Sequence, residues 1–290
     1  MSCPSYPGCA QAPTELPSIV GTAPREEAYC VVELPKPWPA KVKKVEGLIQ
    51  ELRDALKARK GEEAKLLATP EIPWASEFEG PRALLFRWDG KQTLCLQLPA
   101  NPKSVEEAMR QAPQGEPTPL YLVCTHGSRD PCCGLLGVPV YRKLAEISER
   151  EVLQVSHLGG HRFAPVLVAF PEWRFFGHLS LEQLESLDRD LTQNRPHLQG
   201  YRGQGRLKAE MQVVEAALWE QHGETLNTVT KIEGDKEHLL VEALVSGQPV
   251  LYEAELGVFK YEGYKSCKDF RKNKCSTLKL PYLKSLKLKP

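Results

Sequence analysis

The spacing of apolar residues divides the chain into two similar runs of short elements and a third stretch of different character. In the first run, residues 29–34 (YCVVEL) are rich in β-branched side chains and are closed by Pro35 and Pro37, which marks a strand. Residues 41–59 then carry Val42, Val45, Leu48, Ile49, Leu52 and Leu56 at i, i+3, i+4, i+7 spacing. That period predicts an amphipathic helix, stopped near Gly61. Short strands follow at 64–68, 83–88 and 93–98, the last two joined by a turn at Asp89-Gly90. Ser104-Val-Glu-Glu107 has the form of a capping box and opens a short helix. The order is β-α-β-β-β-α.

The second run repeats it. Residues 120–124 read as a strand, 140–147 as a helix and 151–156 as a strand. Residues 165–170 and 174–177 form a strand pair, and a helix runs from Ser180 to about Gln193 with Glu182 and Glu185 in its first turns. A strand–helix–strand unit followed by a hairpin and a helix is the wiring of a thioredoxin-like domain. The expected fold class is therefore α/β, with two tandem thioredoxin-like domains at 1–115 and 116–205. Residues 206–290 form an extension with a helix at 207–221. A β-hairpin is expected there too, with strands at 238–245 and 249–256 around Ser246-Gly247-Gln248.

A chain of 290 residues can bury a substantial core and suits two domains. With 41% hydrophobic and 26% charged residues it has the composition of an ordinary soluble globular protein. No apolar run approaches the roughly 20 residues that a bilayer span needs. The first residues show neither a charged n-region nor an apolar h-region, so no secretory signal is expected and the cytoplasm is the expected compartment. Nine cysteines scattered at 3, 9, 30, 95, 124, 132, 133, 267 and 275 do not suggest a secreted disulfide framework. They point to metal binding or thiol chemistry in a reducing compartment. The formal charge of +1 conceals an asymmetry. Residues 260–290 carry ten Lys/Arg against Glu262 and Asp269 and read as a basic, solvated tail suited to an acidic partner.

The chemistry concentrates in the loops after the first two strands of the second run. Cys124-Thr-His-Gly-Ser-Arg-Asp-Pro-Cys-Cys133 and Ser156-His-Leu-Gly-Gly-His161 together supply two thiols and two imidazoles. These are the groups that hold zinc, copper or iron–sulfur cores. The β-α-β wiring brings both loops to one end of a sheet.

These motifs, with Gly134, Arg162-Phe-Ala164 and Gly177-His-Leu179, resemble the sucrase/ferredoxin-like family of thioredoxin-fold [2Fe–2S] proteins. Val20-Gly-Thr-Ala23, Val32-Glu-Leu-Pro-x-Pro-Trp38 and Tyr201-Arg-Gly203 resemble it as well, so the likeness covers about residues 1–205. The resemblance implies that Cys124, Cys133, His157 and His161 hold a [2Fe–2S] cluster. It also implies that related all-cysteine ferredoxins use Cys-x3-Cys where this chain has His-x3-His. Cys132 leaves the second thiolate ambiguous; the family pattern, with its ligand just before Gly134, favours Cys133. An oxidised core of charge +2 held by four thiolates leaves a site of −2, whereas two thiolates and two neutral imidazoles leave zero. A higher potential, and one that depends on pH through the second imidazole nitrogens, is the expected consequence.

Several neighbours have expected roles. Gly159 and Gly160, and with them Gly127, Gly134 and Gly137, would let backbone N–H groups approach the cluster. Arg129 and Arg162 would stabilise its reduced state, unless Arg129 pairs with Asp130. His126 would donate to the ligand set or replace a member of it, and His178 would pack beneath it.

The resulting expectation is a cytoplasmic one-electron transfer protein, not an enzyme, whose partner is a redox protein. Its donor and acceptor cannot be read from the sequence. Nucleic-acid binding would rest on the tail charge alone. The "sucrase" of the family name finds no pair of placed carboxylates to support it. Two alternatives stay open: a zinc-stabilised binding module on the same scaffold, and a thiol–disulfide oxidoreductase using Cys132-Cys133, although the Cys-x-x-Cys of that chemistry is missing. The first run offers Pro35-Lys-Pro-Trp38 and Pro70-Glu-Ile-Pro-Trp74 where the ligand loops would be. It reads as a degenerate duplicate without a cluster, used for packing or docking.

Overall fold

A computed structural model describes residues 18–57, 64–235 and 237–289. Cys3, Cys9 and the end of the predicted first helix near Gly61 lie outside them. The described residues form a mixed α/β structure of three sheets and six helices.

The first sheet is built from β1 (Ala28–Glu33), β2 (Ala64–Thr69), β3 (Arg82–Trp88) and β4 (Thr93–Pro99), in the order β2-β1-β3-β4. Only β1 and β2 pair in parallel. Their connection carries α1 (Leu48–Ala55), shorter than the sequence period suggested. The apolar stripe is continuous, but Gly47 sits at φ +70° and separates a 3-10 turn at Val42–Lys44 from the helix proper. The helix α2 (Pro102–Arg110) begins two residues before Ser104, because Asn101 is the cap that accepts from the Ser104 N–H.

The second sheet repeats the arrangement with β5 (Leu120–Cys124), β6 (Glu151–Val155), β7 (Val166–Phe170) and β8 (Arg174–Gly177). It adds β9 (Tyr201–Gln204), giving the order β6-β5-β7-β8-β9. The α3 helix (Pro131–Ile147) between β5 and β6 starts nine residues earlier than expected. Gly134, Gly137 and Pro139 hide its first half from a periodicity reading, since all three normally weaken helices. After β8, Ser180 caps a 3-10 turn that leads into α4 (Leu184–Thr192), as its Ser180…Gln183 capping box requires.

The two sheets lie face to face. Tyr29, Val31, Leu84 and Phe86 of the first meet Leu120, Leu122, Val168, Phe170 and Phe175 of the second in one apolar layer that also holds Cys124 and Cys133. α1 and α2 cover the outer face of the first sheet, and α3 and α4 that of the second.

The C-terminal extension contains more structure than the sequence suggested. α5 (Ala209–His222) is followed by a four-stranded antiparallel meander. Its strands are β10 (Leu226–Gly234), β11 (His238–Val245), β12 (Gln248–Gly263) and β13 (Ser276–Leu288). The expectation of a solvated basic tail is corrected: residues 276–288 pair with β12 along its length, and their lysines alternate with the buried Leu278 and Leu280. That alternation is the period of a half-buried strand. The intervening residues 264–275 include a short helix, α6 (Cys267–Arg271), that returns to the second sheet. Among the described residues no helix is long and apolar enough to cross a membrane.

The approach of α3 to β5 depends on the absence of side chains. A Cβ on Gly137 would stand 2.0 Å from the Cys124 carbonyl oxygen, and one on Gly134 2.9 Å from the Gly127 Cα. A Cβ on Gly127 would meet its nearest atom at 3.4 Å. Gly137→Ala is therefore expected to lower stability by about 1–3 kcal/mol, while Gly127→Ala leaves it nearly unchanged. Urea unfolding of the two variants checks this.

Candidate metal centre

The parallel pairing of β5 and β6 places Cys124 opposite Val155, so the chain leaves both strands at the same end. The first loop folds back through Thr125, whose N–H donates to the Val155 carbonyl, and enters α3 at Pro131. The cysteine pair thus lies in the first turn of α3 and not in a loop. Because Gly137 allows the helix to sit against the end of β5, Cys133 faces Cys124. The second loop turns at Gly159 and Gly160, with φ +104° and +70°, into a 3-10 turn that begins at His161.

This brings the four sequence-predicted residues together. The ligand atoms of Cys124, Cys133 and His157 all lie within 4.8 Å of one another, and His161 Nδ1 stands 3.4 Å from His157 Nε2. The group sorts into a thiol pair and an imidazole pair. Cys124 and Cys133 are buried at 1% exposure each, whereas both histidines reach partly into solvent. The Cys133 thiol donates to Cys124, which with a bond from His157 holds Cys124 well below the ordinary thiol range and pushes Cys133 up. The downward shift favours the Cys124 thiolate, the form that binds metal. His157 Nδ1 and His161 Nε2 are buried with no hydrogen-bond partner. Buried polar atoms without partners are rare in native proteins, and together with a Cys2His2 donor set they fit a bound metal group.

Cys132 points elsewhere. Its thiol donates to Asp130 Oδ1, and its sulfur lies 2.6 Å from that of Cys267 in α6. Asp130 Oδ2 accepts from the Cys267 N–H and stands 3.6 Å from His161 Nε2. Burial by itself would raise the Asp130 carboxyl, but the bonds from Cys267 and Cys132 and the nearby His161 hold it below its ordinary value. Cys275 packs against the same small cluster and is disulfide-bonded, which amends the expectation that cysteines here serve only metal or thiol chemistry.

The remaining expectations sort as follows. His126 is buried; its backbone N–H donates to Cys124, while its ring stands edge-on to Trp38 with Nε2 3.1 Å from the Pro39 carbonyl. His178, at φ +55°, lies against Phe163 with Nε2 3.0 Å from the Arg162 carbonyl, which is the packing role expected of it. Arg162 lies over the Phe163 ring, and its hydrogen bond to Tyr261 ties it to the extension. The glycines 127, 134 and 137 serve close packing of helix on strand, as described above.

Sequence reasoning missed the groups that brace the two loops. Arg202, 1% exposed, donates from Nη2 to the Thr22 carbonyl and from Nε to Thr22 Oγ1, and lies over the rings of Phe163 and Phe175. Its own carbonyl accepts from the N–H groups of Gly21, Thr22 and Ala23. A Cβ on Gly160 would meet this guanidinium at 2.4 Å. Burial, with a smaller contribution from Arg162, draws the Arg202 pKa down to about 9, so it stays charged at neutral pH. Val20-Gly-Thr-Ala23 and Tyr201-Arg-Gly203 were legible as motifs; their shared purpose, a clamp beneath the His-Gly-Gly-His turn, was not. The first sheet braces the loops too. Ser156 exchanges hydrogen bonds with the Ala68 backbone at 2.8 and 2.9 Å, Lys36 Nζ donates to Thr125 and Gln154, Lys65 Nζ to the Leu158 carbonyl, and Ser128 to the Trp38 carbonyl.

Beside His157 opens a cleft of about 760 Å³ between α1, β2 and the first ligand loop. Among the described residues, Lys41, Lys43, Arg53, Lys57, Lys65 and Arg129 line it against a single acid, Glu26.

A family model described as sucrase/ferredoxin-like matches residues 19–203. The chain belongs to that family. It is also similar to a curated protein of Meyerozyma guilliermondii, "Altered inheritance of mitochondria protein 32", with 32% identity over 95 residues, 29% of this chain and 34% of that protein. The chain thus spans about a third of that relative's length. No solved structure matches. The family match ends at residue 203, so the extension with Cys267 lies outside it.

Removing the Arg202 guanidinium leaves the Thr22 carbonyl without its donor and opens space beneath Gly160. Arg202→Met is expected to cost about 1–3 kcal/mol and to speed amide exchange at residues 160–163 more than in α4. Hydrogen-exchange mass spectrometry separates the two effects.

Proposed function

We propose that this protein is a one-electron carrier whose thioredoxin-like second domain holds a [2Fe–2S] cluster on Cys124, Cys133, His157 and His161. The observation that carries the reading is the sorting of the site into a buried thiol pair and a partly exposed imidazole pair. Two thiolates and two imidazoles would suit a two-iron core of the kind in which histidines replace two of the cysteines; a mononuclear zinc site has no need of that division. The cluster, when bound, supplies the one-electron redox step, and the chain supplies binding, charge and access.

The residues set those terms in three ways. The inter-sheet apolar layer keeps water from the thiolate side. Neutral imidazoles leave the oxidised site without net charge, which favours reduction relative to four thiolates. The half-exposed histidines form the edge a partner can reach, next to the cationic cleft. We assign the partner as a redox protein with an acidic docking face, reached through this cleft and not through the C-terminal lysines. No substrate-binding residues are assigned; the protein acts as a carrier in the cytoplasm and not as an enzyme.

Anaerobically purified protein is expected to be coloured and to contain about two irons and two acid-labile sulfides per chain. Colourless protein with one zinc would overturn the cluster. His161→Cys adds a negative charge to the site and is expected to lower the midpoint potential and change the EPR signal; an unaltered signal removes His161 from the ligand set.

The histidines also give the potential a pH dependence. Reduction adds negative charge, which raises the affinity of an imidazole for a proton. The potential is therefore expected to fall as pH rises through the imidazole pKa of the oxidised form, by up to about 59 mV per unit for one proton and one electron. A protein-film titration that stays flat between about pH 6 and 10 excludes histidine ligation.

A further inference from the structure

The geometry points to Cys132 and Cys267 as an oxidisable thiol pair whose disulfide locks the C-terminal extension over the histidine edge of the metal centre. The two sulfurs are 2.6 Å apart although 135 residues separate them in sequence. Two thiolates on one tetrahedral zinc stand about 3.8 Å apart, given Zn–S bonds of about 2.3 Å. A disulfide bond is about 2.05 Å long, so a small displacement closes this pair. Asp130 holds both partners, accepting from the Cys132 thiol and from the Cys267 backbone N–H. Both sulfurs lie in a small apolar pocket with Ala164, Tyr264, Phe270 and Cys275, itself an oxidised cysteine.

The pair is placed to act on the site. Cys132 adjoins Cys133 in the first turn of α3. Cys267 opens α6, and the backbone of Lys265, two residues before it, lies beside His161. A covalent link between α3 and α6 would fix residues 264–267 against His161. With the thiols reduced, the same segment is held by hydrogen bonds and packing, which can open.

Cys132 and Cys267 are 6% and 8% exposed as residues, which admits a small oxidant better than a bulky one, and hydrogen peroxide is the oxidant we assign. One sulfur attacks a peroxide oxygen; the O–O bond breaks, leaving a sulfenic acid and releasing one water. The second sulfur then attacks the first, the S–O bond breaks, and the departing hydroxide takes the second thiol proton as water. Two thiols lose two electrons in all, and one peroxide becomes two waters. Reduction by an external dithiol reverses the state.

The inference stands apart from the cluster reading, and peptide mapping keeps them separate. Trypsin places Cys132 and Cys133 in peptide 130–142, Cys124 in 111–129, Cys267 in 266–268 and Cys275 in 275–279. Purified full-length protein is treated with hydrogen peroxide, alkylated and digested without reductant, with iron and sulfide measured in the same sample. The expected result is a 130–142/266–268 cross-link that dithiothreitol removes and that is lost in both Cys132→Ser and Cys267→Ser. Separate, alkylated peptides overturn the proposal, as does a cross-link that survives Cys132→Ser. Bound zinc that disappears in Cys267→Ser also overturns it, by making the pair a metal site. Protein without iron would instead expose Cys124 to cross-linking with 130–142, a different product that counts against the cluster alone.

Discussion

The parallel pairing of β5 with β6 is the constraint on which the metal centre depends. With Cys124 opposite Val155, the two loops that carry the ligands must leave the sheet side by side. A slip of one residue would turn Cys124 out of the inter-sheet layer, because successive strand residues face opposite sides. In β6 (EVLQV) Leu153 and Val155 are buried and Glu151 is exposed, so a slip of that strand would expose its apolar face; this fixes the register against LYLVC of β5. Everything nearer the ligands is adjustment: Gly137 lets the helix close on the strand end, and Gly160 lets the second loop settle on Arg202.

The first half of the chain, which has no ligands of its own, takes its meaning from this constraint. Loop ends at the edge of a sheet are ordinarily mobile, yet a metal centre needs its donors held in place. Here the backbone of Ala68, the amines of Lys36 and Lys65, and the carbonyls of Trp38 and Pro39 all reach the ligand loops. The first sheet thus serves as one wall of the candidate site. Burying Arg202 of β9 on the other side of the loops costs desolvation, offset by a cage of backbone carbonyl, hydroxyl and aromatic faces.

Much of this was legible in the sequence, for identifiable reasons. Strands announced themselves because β-branched runs ended at Pro, Gly or Asp. The four candidate donors stood out because thiols and imidazoles at fixed spacing are rare together. The start of α3 was hidden, since Gly134, Gly137 and Pro139 are poor helix formers whose presence is decided by tertiary contact with β5 and not by local preference. β13 was hidden by the lysines concentrated in residues 260–290, which drew attention to charge while Leu278 and Leu280 are buried in a strand. The family pattern favoured Cys133 over Cys132, but the purpose of Cys132 could not be read. Adjacent residues on a helix point about 100° apart, and only the placement of Cys124 on one side and Cys267 on the other tells which thiol serves which purpose.

The histidine edge is where these elements meet, and its electrostatics are uneven. Toward α1 and β2 it opens, among the described residues, on six cations and one acid; toward α6 stand Asp130 and the small cluster that holds Cys132, Tyr264 and Cys267. An approaching acidic surface is drawn to the first side by charge that salt screens only over a Debye length of about 8 Å. On the second side, Asp130 joins His161, 3.6 Å away, to the N–H of Cys267 in α6. Access to the centre is thus governed from two directions by parts of the chain that hold none of the four donors. One of those parts, the extension, lies outside the region that marks the family.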